Sequence, residues 1–486
     1  AEHGGKIFYQ NNRLVHIYPA PELNRGGVHR PGGTLILHPI DSPHLSELAT
    51  AAAIHEKWDE RSASWKRCDC PRRIGDNFLS RGHWPELRQL TGFIEAPTIT
   101  PDGRLIEQHG YDDATGLFLC ANIPSWRAPA LKPSAEEAKS AFAFIQEALR
   151  EFPFVAAEDL VAAVAGIMTG LLRRVLPAAP LLAITAPTPG TGKTLIAETI
   201  AVIATGRRAS VLSLGHDEAE AEKRVAGMLL AAYLVIALDN IERPLKGDLL
   251  CQVLTQPLVQ LRPLGGSGML SIPTHALLVA TGNNLSIVGD LKRRTMLIRL
   301  DAGQERPETR TFKHDHLEDV IFARRGELIR AALTIPLAYL AAGAPAIEGL
   351  HPFGGFEQWD RLVRRPLLWL GEADPLKASE GLREQDPELE GMRLLLSAWR
   401  ATFGDEPKTA AEIVDAGMAG GYMAGDYIHP DLRDALQLVC SEKPNTRRLG
   451  YWLRAHRDRI VDGLQVKQAG VDGLSKVTRW RISRCL

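Results

Sequence analysis

The chain has 486 residues, enough for about three domains of ordinary size with buried cores. With 45% hydrophobic and 24% charged residues, its composition is typical of a globular protein and excludes a mainly disordered chain. The 57 basic and 58 acidic residues nearly cancel, so nucleic-acid binding has to be judged from local charge. The longest apolar run, residues 160–172, is too short to cross a membrane and predicts a core helix. From six cysteines and no secretory pattern in the first residues, we expect a cytoplasmic protein with free thiols.

The first part of the chain, residues 1–133, has short apolar segments separated by glycine and proline clusters. This pattern predicts a small α+β accessory domain. Within it, the spacing of apolar residues over 45–58 predicts one helix.

A second region, residues 134–304, alternates helical and strand patterns. Ser134 and Glu137 form a capping box that predicts the start of its first helix. The apolar segments at 181–185, 234–238 and 275–281 predict strands of a largely parallel sheet in an α/β fold.

The rest of the chain is predicted to be helical and then mixed. Helical patterns at 317–340 predict a helical lid within residues 305–404. In residues 405–486, three short helices begin near Thr409, Asp431 and Asn445 or Thr446, and two segments of alternating apolar residues follow. Three helices followed by a β-ribbon predict a winged-helix DNA-binding domain.

The strongest motif is PTPGTGKT at residues 187–194, between an apolar strand and a helix. Glycines allow backbone N–H groups to surround phosphate oxygens, the lysine reaches the β- and γ-phosphates, and the threonine hydroxyl can hold Mg²⁺. Proline replaces the first glycine of the usual pattern, but the strand, loop and helix context is retained. We therefore predict an ATP site formed by Pro189, Gly190, Thr191, Gly192, Lys193, Thr194 and Leu195.

A phosphate loop needs a metal-binding carboxylate at the end of a neighbouring strand, and Asp239 follows the apolar segment 234–238. Many such ATPases have a glutamate directly after this aspartate, which activates the attacking water. Here that position is Asn240, and Glu242 lies two residues further on. Glu242 is either the substitute base or a charge at the start of a helix.

Two further pairs follow in the chain. Asn283 and Asn284 end the predicted strand at 275–281, where an amide can contact the γ-phosphate or orient the water. Arg293 and Arg294 precede the next apolar strand, and a guanidinium supplied to a neighbouring subunit can stabilise a transferring phosphoryl group. One arginine is expected to do this, and the other to contact DNA or solvent.

In this order, these motifs resemble the AAA+ ATPases of the superfamily three helicases, and more narrowly the helicase part of phage and mobile-element primase-helicases. The resemblance implies a ring, usually hexameric, that encircles single-stranded DNA and hydrolyses ATP at subunit interfaces. It implies that Asp239 binds Mg²⁺, that Asn283 or Asn284 is the sensor, and that Arg293 or Arg294 reaches the neighbouring nucleotide. No D-x-D pair occurs, so a primase is expected on another polypeptide or on a part of the protein outside this sequence.

The same family carries a DNA-gripping hairpin between the metal strand and the sensor strand. Residues 259–272 fit it, because apolar alternation flanks a glycine-rich turn. Arg262, Gly266 and Ser267 are the predicted DNA contacts, and a purely structural hairpin is the alternative.

The C-terminal segment, residues 441–486, carries eleven Lys and Arg against four acidic residues, a net charge of +7. We expect this surface to contact phosphates and to place a helix in the major groove of duplex origin DNA, unless it is only a solvated face. The expected DNA contacts are Arg447, Arg448, Arg454, Arg457, Lys467, Arg479 and Arg481.

Together these patterns predict an AAA+ P-loop ATPase core with accessory domains, and a helicase or translocase driven by ATP and Mg²⁺. One alternative is a DNA-binding replication initiator that ATP switches with little turnover, which Asn240 favours. Another is an ATPase that remodels a protein partner.

Overall fold

The computed structural model describes residues 7–10, 13–19, 23–25, 28–30, 35–121, 123, 126–214, 218–261, 269–310, 316–384, 387–420, 427–440, 444–471 and 477–484. The chain divides into two compact units, Ala1–Ser379 and Glu380–Leu486.

The first unit begins with short strands and two helices. The strands are β1 (Ile7–Gln10), β2 (Arg13–Pro19), β3 (Leu23–Arg25), β4 (Val28–Arg30), β5 (Leu35–Pro39), β6 (His55–Asp59), β7 (Ser64–Cys68), β8 (Gly92–Ile94), β9 (Thr98–Ile99), β10 (Leu105–Ile106), β11 (Gly110–Asp112) and β12 (Leu117–Leu119), and the helices are α1 (Ser42–Ala52) and α2 (Arg72–Ser80). β2 pairs with both β1 and β5, whereas β6 and β7 form a ribbon of their own. Buried Phe8, Leu14, Ile17 and Trp84 anchor this region.

The predicted helix over residues 45–58 is wrong at its carboxyl end. α1 begins after Asp41, whose carboxylate accepts a hydrogen bond from the N–H of His44, and it ends at Ala52. Trp58 lies in β6, because residues 55–59 pair antiparallel with β7. This long-range pairing overrides a local apolar spacing that a helix would also satisfy.

The next segment forms the α/β core. Its helices are α3 (Ala135–Ala148), α4 (Ala157–Leu172), α5 (Lys193–Thr205), α6 (Glu218–Leu230) and α7 (Asp248–Thr255), and its strands are β13 (Leu181–Ala186), β14 (Ser210–Leu212), β15 (Val235–Leu238), β16 (Leu258–Leu261), β17 (Leu270–Pro273), β18 (Leu277–Asn283) and β19 (Thr295–Arg299). α3 begins with the predicted capping box of Ser134 and Glu137.

Five of these strands form one sheet in the order β14-β15-β18-β13-β19, and every neighbouring pair is parallel. The predicted parallel sheet of an α/β fold is therefore confirmed. β18 lies between β13 and β15, with Asn283 in register with Ala186 and Ala280 in register with Leu238. The residues that follow β13, β15 and β18 thus meet at one edge of the sheet.

The apolar run 160–172 is a buried core helix, as predicted. It forms most of α4, which packs against α5 and the sheet. Gly166 permits a close approach, since a Cβ there would lie 2.8 Å from Leu182 Cδ2. Within the described ranges, no helix is both long enough and apolar enough to span a bilayer.

Helices complete the first unit and enter the second. They are α8 (Leu317–Ala323), α9 (Arg325–Ala341), α10 (Glu357–Trp359), α11 (Arg365–Trp369) and α12 (Lys377–Glu384), with a π-helical turn at Asp360–Arg364. α8 and α9 occupy the segment predicted to form the helical lid. α9 packs along α3 and is buried over most of its length.

The second unit contains four further helices, α13 (Pro387–Phe403), α14 (Ala410–Met418), α15 (Pro430–Cys440) and α16 (Thr446–Ala455), and the strands β20 (Lys408–Thr409), β21 (Ile460–Val461), β22 (Leu464–Val471) and β23 (Thr478–Arg484). The strands form one antiparallel sheet in the order β20-β23-β22-β21. Thr409 with Glu412 caps α14, and Asn445 caps α16, as predicted.

The boundary of this unit differs from the sequence-based division at residues 404 and 405. α13, which we had assigned to the lid region, contributes buried Met392, Leu395 and Trp399 to the core that also contains Leu436 and Trp480. The units separate between Ser379 and Glu380. Apolar helix patterns do not show which core a helix joins, so the sequence misplaced this division.

Candidate nucleotide-binding site

The phosphate loop connects the end of β13 to the start of α5. Gly190 and Gly192 have φ values of +73° and +99°, a conformation that glycine adopts without strain. The Thr191 hydroxyl donates a hydrogen bond of 2.7 Å to the Thr188 carbonyl and closes the turn. The unpaired N–H groups at the start of α5 therefore adjoin a tight loop, an arrangement that favours phosphate binding.

Lys193 is the first residue of α5, and its side chain joins the loop to β18. Its Nζ donates hydrogen bonds to Asn283 Oδ1 at 2.6 Å and to the Thr188 carbonyl at 3.2 Å. Burial lowers the pKa of the Lys193 ammonium, and the nearby Asp239 carboxylate opposes that shift. Lys193 thus lies at the centre of the polar groups at this sheet edge.

Asp239 directly follows β15 and faces the loop. Its Oδ1 accepts hydrogen bonds from the hydroxyls of Thr194 at 3.2 Å and Thr281 at 2.5 Å. Mg²⁺ prefers oxygen ligands, and a carboxylate next to a hydroxyl beside a phosphate site supplies them. Thr194 and Asp239 therefore fit the predicted metal pair. Thr281 holds the carboxylate in place, a role that the sequence analysis missed.

The chain turns sharply after Asp239. Asn240 has a φ of +51°, and its side-chain Nδ2 donates to Glu242 Oε1 at 3.3 Å. The backbone N–H of Ile241 bonds to the Thr281 carbonyl, and a Cβ at Gly282 would lie 2.5 Å from the Ile241 carbonyl oxygen. The turn brings the Glu242 carboxylate back beside Asn240, three positions after Asp239.

The structure separates the two predicted sensor residues. The side chain of Asn283 contacts Lys193, as described above. Asn284 has a φ of +45°, and its backbone N–H bonds to the Ala186 carbonyl at 3.0 Å. Asn283 is therefore the residue whose amide faces the phosphate loop.

Arg293 and Arg294 lie away from this edge. They precede β19, whose first residue, Thr295, is in register with Leu181 at the start of β13. The phosphate loop follows the other end of β13, and the five steps of about 3.3 Å along its six residues separate the two ends by roughly 17 Å. Both guanidinium groups bind the Asp290 carboxylate, Arg294 at 2.5 Å. The hydrogen bond from Arg293, together with that from Arg294, holds the pKa of Asp290 below its usual value.

A cavity of about 450 Å³ opens beside the phosphate loop, and the sequence analysis did not predict it. Phe152, Leu195 and Leu317 supply apolar walls, and Arg310 and His316 supply polar ones. Phe152 packs on the loop itself, since a Cβ at residue 192 would lie 3.3 Å from its ring. The only sequence signal was the Phe-Pro-Phe cluster at 152–154, which also suits a simple core turn.

Two strands lie in the segment predicted to form a DNA-gripping hairpin. β16 and β17 pair antiparallel, with Val259 opposite Ile272. Arg262, Gly266 and Ser267, the predicted DNA contacts, lie outside the described residues.

The predicted DNA contacts of the second unit are spread over α16, the turn that follows it and the β22–β23 ribbon. On α16, Arg447 and Arg454 are exposed on either side of exposed Tyr451 and lie 5.8 and 5.0 Å from its ring centre. Arg448 donates to the Cys440 carbonyl at 3.2 Å, and Arg457 forms a 3.1 Å ion pair with Asp458.

On the ribbon, Lys467 and Arg481 are cross-strand neighbours, and Arg479 donates to the Pro407 carbonyl at 3.3 Å. Trp480 is buried in the core.

Comparisons with known proteins give structural matches only: no family model matches the chain, and no curated protein is similar in sequence. The apo C-terminal region of NrS-1 is 11% identical with a TM-score of 0.41, covering 91% of this chain and 99% of that one. The active helicase Cch of SCCmec type IV is 10% identical with a TM-score of 0.36, covering 99% and 97%. The JCV helicase is 14% identical with a TM-score of 0.20, covering 52% and 73%. These TM-scores are low, so the function of the chain is argued from the geometry of the site.

Proposed function

We propose that this chain is an ATP-hydrolysing motor of the AAA+ class that moves on single-stranded DNA. The observation that carries the proposal is the convergence of Lys193, Thr194, Asp239 and Asn283 at one sheet edge, linked by hydrogen bonds of 2.6 and 3.2 Å. Three sequence segments supply these groups, and the parallel strand order brings them together.

Each residue has a defined task in this proposal. The N–H groups of the phosphate loop bind phosphate oxygens, and Lys193 leaves Asn283 to contact the β- and γ-phosphates. Thr194 and Asp239 hold Mg²⁺, which neutralises charge that develops on the transferring phosphoryl group. The adenine base lies in the cavity beside Phe152 and Leu195, whose apolar surfaces suit a flat ring.

Activation of the attacking water falls to Glu242 in this proposal. Asn240 occupies the position after Asp239, and its amide cannot accept a proton from water. Glu242 has the only carboxylate recorded in contact with Asn240 among the described residues. Asn240 then positions this carboxylate, and Asn283 reports whether the γ-phosphate is present.

The position of the arginine pair supports hydrolysis at subunit interfaces. Arg293 and Arg294 lie too far from the phosphate loop of their own chain to contact a nucleotide bound there. If one of them contacts a nucleotide, that nucleotide is bound to a neighbouring subunit, as in the homo-hexameric ring that we propose. The side chain of Arg293 is 61% exposed and that of Arg294 only 16%. We therefore assign the trans-acting role to Arg293, which Asp290 holds in place until a neighbour arrives.

The DNA contacts complete the proposal. The β16–β17 hairpin grips single-stranded DNA, and the three helices and ribbon of the second unit form a winged-helix domain that contacts duplex origin DNA through α16 and the β22–β23 ribbon. The motif resemblance places such a motor in phage or mobile-element replication, together with a separate primase. The chain then works in the cytoplasm.

Lys193→Ala should abolish ATP hydrolysis, because Lys193 supplies the ammonium at the phosphate loop. The measurement is phosphate release with Mg²⁺ and ATP, and Asp239→Asn should give the same loss. Lys139→Ala, on the exposed face of α3, removes an ammonium whose recorded ion pair among the described residues is with Glu136, and it is the matched control. Normal hydrolysis by Lys193→Ala would show that the nucleotide site is assigned wrongly.

A second candidate function rests on Asn240. If Glu242 does not activate water, ATP binding drives assembly on duplex DNA with little turnover, and the chain is a replication initiator. Asn240→Glu should then raise the hydrolysis rate well above that of the unmodified chain. In the motor proposal, the same change removes the amide that holds Glu242 and lowers the rate or leaves it unchanged.

A further inference from the structure

The β6–β7 ribbon presents two tryptophans to solvent. Trp58 and Trp65 are directly opposite each other, with ring centres 5.6 Å apart and planes at 69°. They are 45% and 63% exposed, whereas every other tryptophan of the described residues is buried or half-buried. Exposing two large apolar rings to water is unfavourable, because burying them would stabilise the folded chain. Core packing therefore does not explain the position of these tryptophans.

The ribbon is fixed at both ends. At its base, His55 Nε2 bonds to the Ala49 carbonyl at 3.1 Å, and the Cys70 N–H bonds to the Thr50 hydroxyl at 2.9 Å. At its tip, the Asp59 carboxylate accepts hydrogen bonds from the turn that joins the strands. The tryptophans therefore occupy the tip of a preorganised ribbon anchored to α1.

The ribbon carries cations on both of its faces and in its turn. Residues 54–74 contain six Lys and Arg and four acidic residues. Lys57 lies directly opposite Lys66, an arrangement of like charges that weakens a ribbon. Lys66 pairs with Asp59, but no side-chain partner is recorded within the described residues for Lys57, Arg61 or Arg67. Arg67, on the face of the rings, and Arg61, in the turn, are available there to an anionic ligand, whereas Lys57 lies on the other face.

The face that carries the tryptophans favours a nucleic acid over a protein partner. Side chains alternate along a strand, so Glu56 and Arg67, which are opposite each other, share this face with the two rings. The rings therefore do not merge into the continuous apolar surface that a protein or a second copy of the chain would cover. Separate exposed rings beside cations match the way unpaired bases and phosphates are bound.

We propose that the β6–β7 ribbon binds single-stranded nucleic acid, with Trp58 and Trp65 stacking on bases and Arg61 and Arg67 contacting phosphates. This adds to the proposed function a binding surface outside the ATPase core. It does not depend on ATP hydrolysis, because every group involved lies on the ribbon.

The test measures binding of the full-length chain, without nucleotide, to fluorescent oligothymidylate and oligouridylate by anisotropy. Stacking contributes enough per base that Trp58→Ala with Trp65→Ala should weaken binding at least about tenfold, and Arg67→Ala should reduce its salt dependence. Leu131→Ala, which removes another strongly exposed apolar side chain, is the matched control. Comparison of the two oligonucleotides shows whether the ribbon prefers DNA or RNA.

A second measurement needs no variant. Bromouracil-substituted oligonucleotides should crosslink, on irradiation, to the peptide that contains Trp58 and Trp65. Unchanged affinity of the double variant together with crosslinks only elsewhere would overturn the proposal, as would a change in self-association alone. If the unmodified chain does not hydrolyse ATP, the motor proposal is contradicted. The binding measurement still tests the ribbon, because it is made without nucleotide.

Discussion

At the scale of single residues, Lys193 and Asn283 are 90 positions apart in the sequence, and their side chains are 2.6 Å apart in the structure. The sequence identified Lys193 from the phosphate-loop motif and Asn283 from its position at the end of an apolar strand. It could not choose between Asn283 and Asn284, since that depends on the left-handed turn at Asn284. It also missed Thr281, because a threonine within a buried strand gives no signal of its partner Asp239.

His275 gives a prediction about pH. Burial, and then the charges of Arg173 and Arg174, lower the pKa of its imidazole from 6.5 to about 4. Below pH 6.5 the imidazole binds a proton in the unfolded chain but stays neutral in the folded chain. The free energy of unfolding therefore falls as the pH falls toward 4. His275→Gln should remove this dependence, worth up to about 3 kcal/mol over the whole window.

The measurement is the urea midpoint of the unmodified chain and of His275→Gln at several pH values across this window. We expect the two midpoints to converge as the pH falls, because only the unmodified chain loses this contribution. Parallel curves would contradict the assigned pKa.

At the scale of elements, the strand order decides what each loop can reach. The parallel order β14-β15-β18-β13-β19 brings the carboxyl ends of β13, β15 and β18 together. The arginine pair precedes β19 and therefore lies at the amino ends of the strands. The sequence predicted the strands from their apolar segments and gave no order. The resemblance to known helicases implied a trans-acting arginine, and the register of β19 with β13 places the pair away from the phosphate loop of its own chain.

Arg293→Ala should therefore reduce hydrolysis about a thousandfold while ATP binding is retained, because the lost charge acts only on the transition state. Arg361→Ala, which removes an exposed guanidinium elsewhere in the first unit, is the control. Mixing Arg293→Ala with Lys193→Ala protomers should restore part of the activity, since some interfaces then combine an intact arginine with an intact phosphate loop. Failure of every mixture to recover would show that the arginine does not act between subunits.

Contacts between elements that are distant in the chain could also not be predicted from the sequence. Arg325, at the start of α9, donates to the carbonyls of Ile203 at 3.0 Å and Glu95 at 2.6 Å. It thereby connects α9 to the end of α5 and to the segment after β8. A buried arginine that bonds to backbone carbonyls leaves no pattern in the sequence, because any residue can supply the acceptor.

At the scale of the whole molecule, the sequence predicted an α/β core followed by a mixed helical and β region, and the structure has both. The structural division lies earlier in the chain than the sequence-based one, because the apolar face of α13 packs in the core of the second unit. The first and second units each have their own buried side chains. This organisation suits a motor in which one unit hydrolyses ATP and both contact DNA.

The central claim is that ATP hydrolysis is coupled to single-stranded DNA. The most direct test is the steady-state hydrolysis rate of the full-length chain with and without single-stranded DNA, with Lys193→Ala as the blank. The account predicts Mg²⁺-dependent hydrolysis that DNA stimulates severalfold and that the blank lacks. A rate that is indifferent to DNA, or no higher than that of the blank under both conditions, would contradict it.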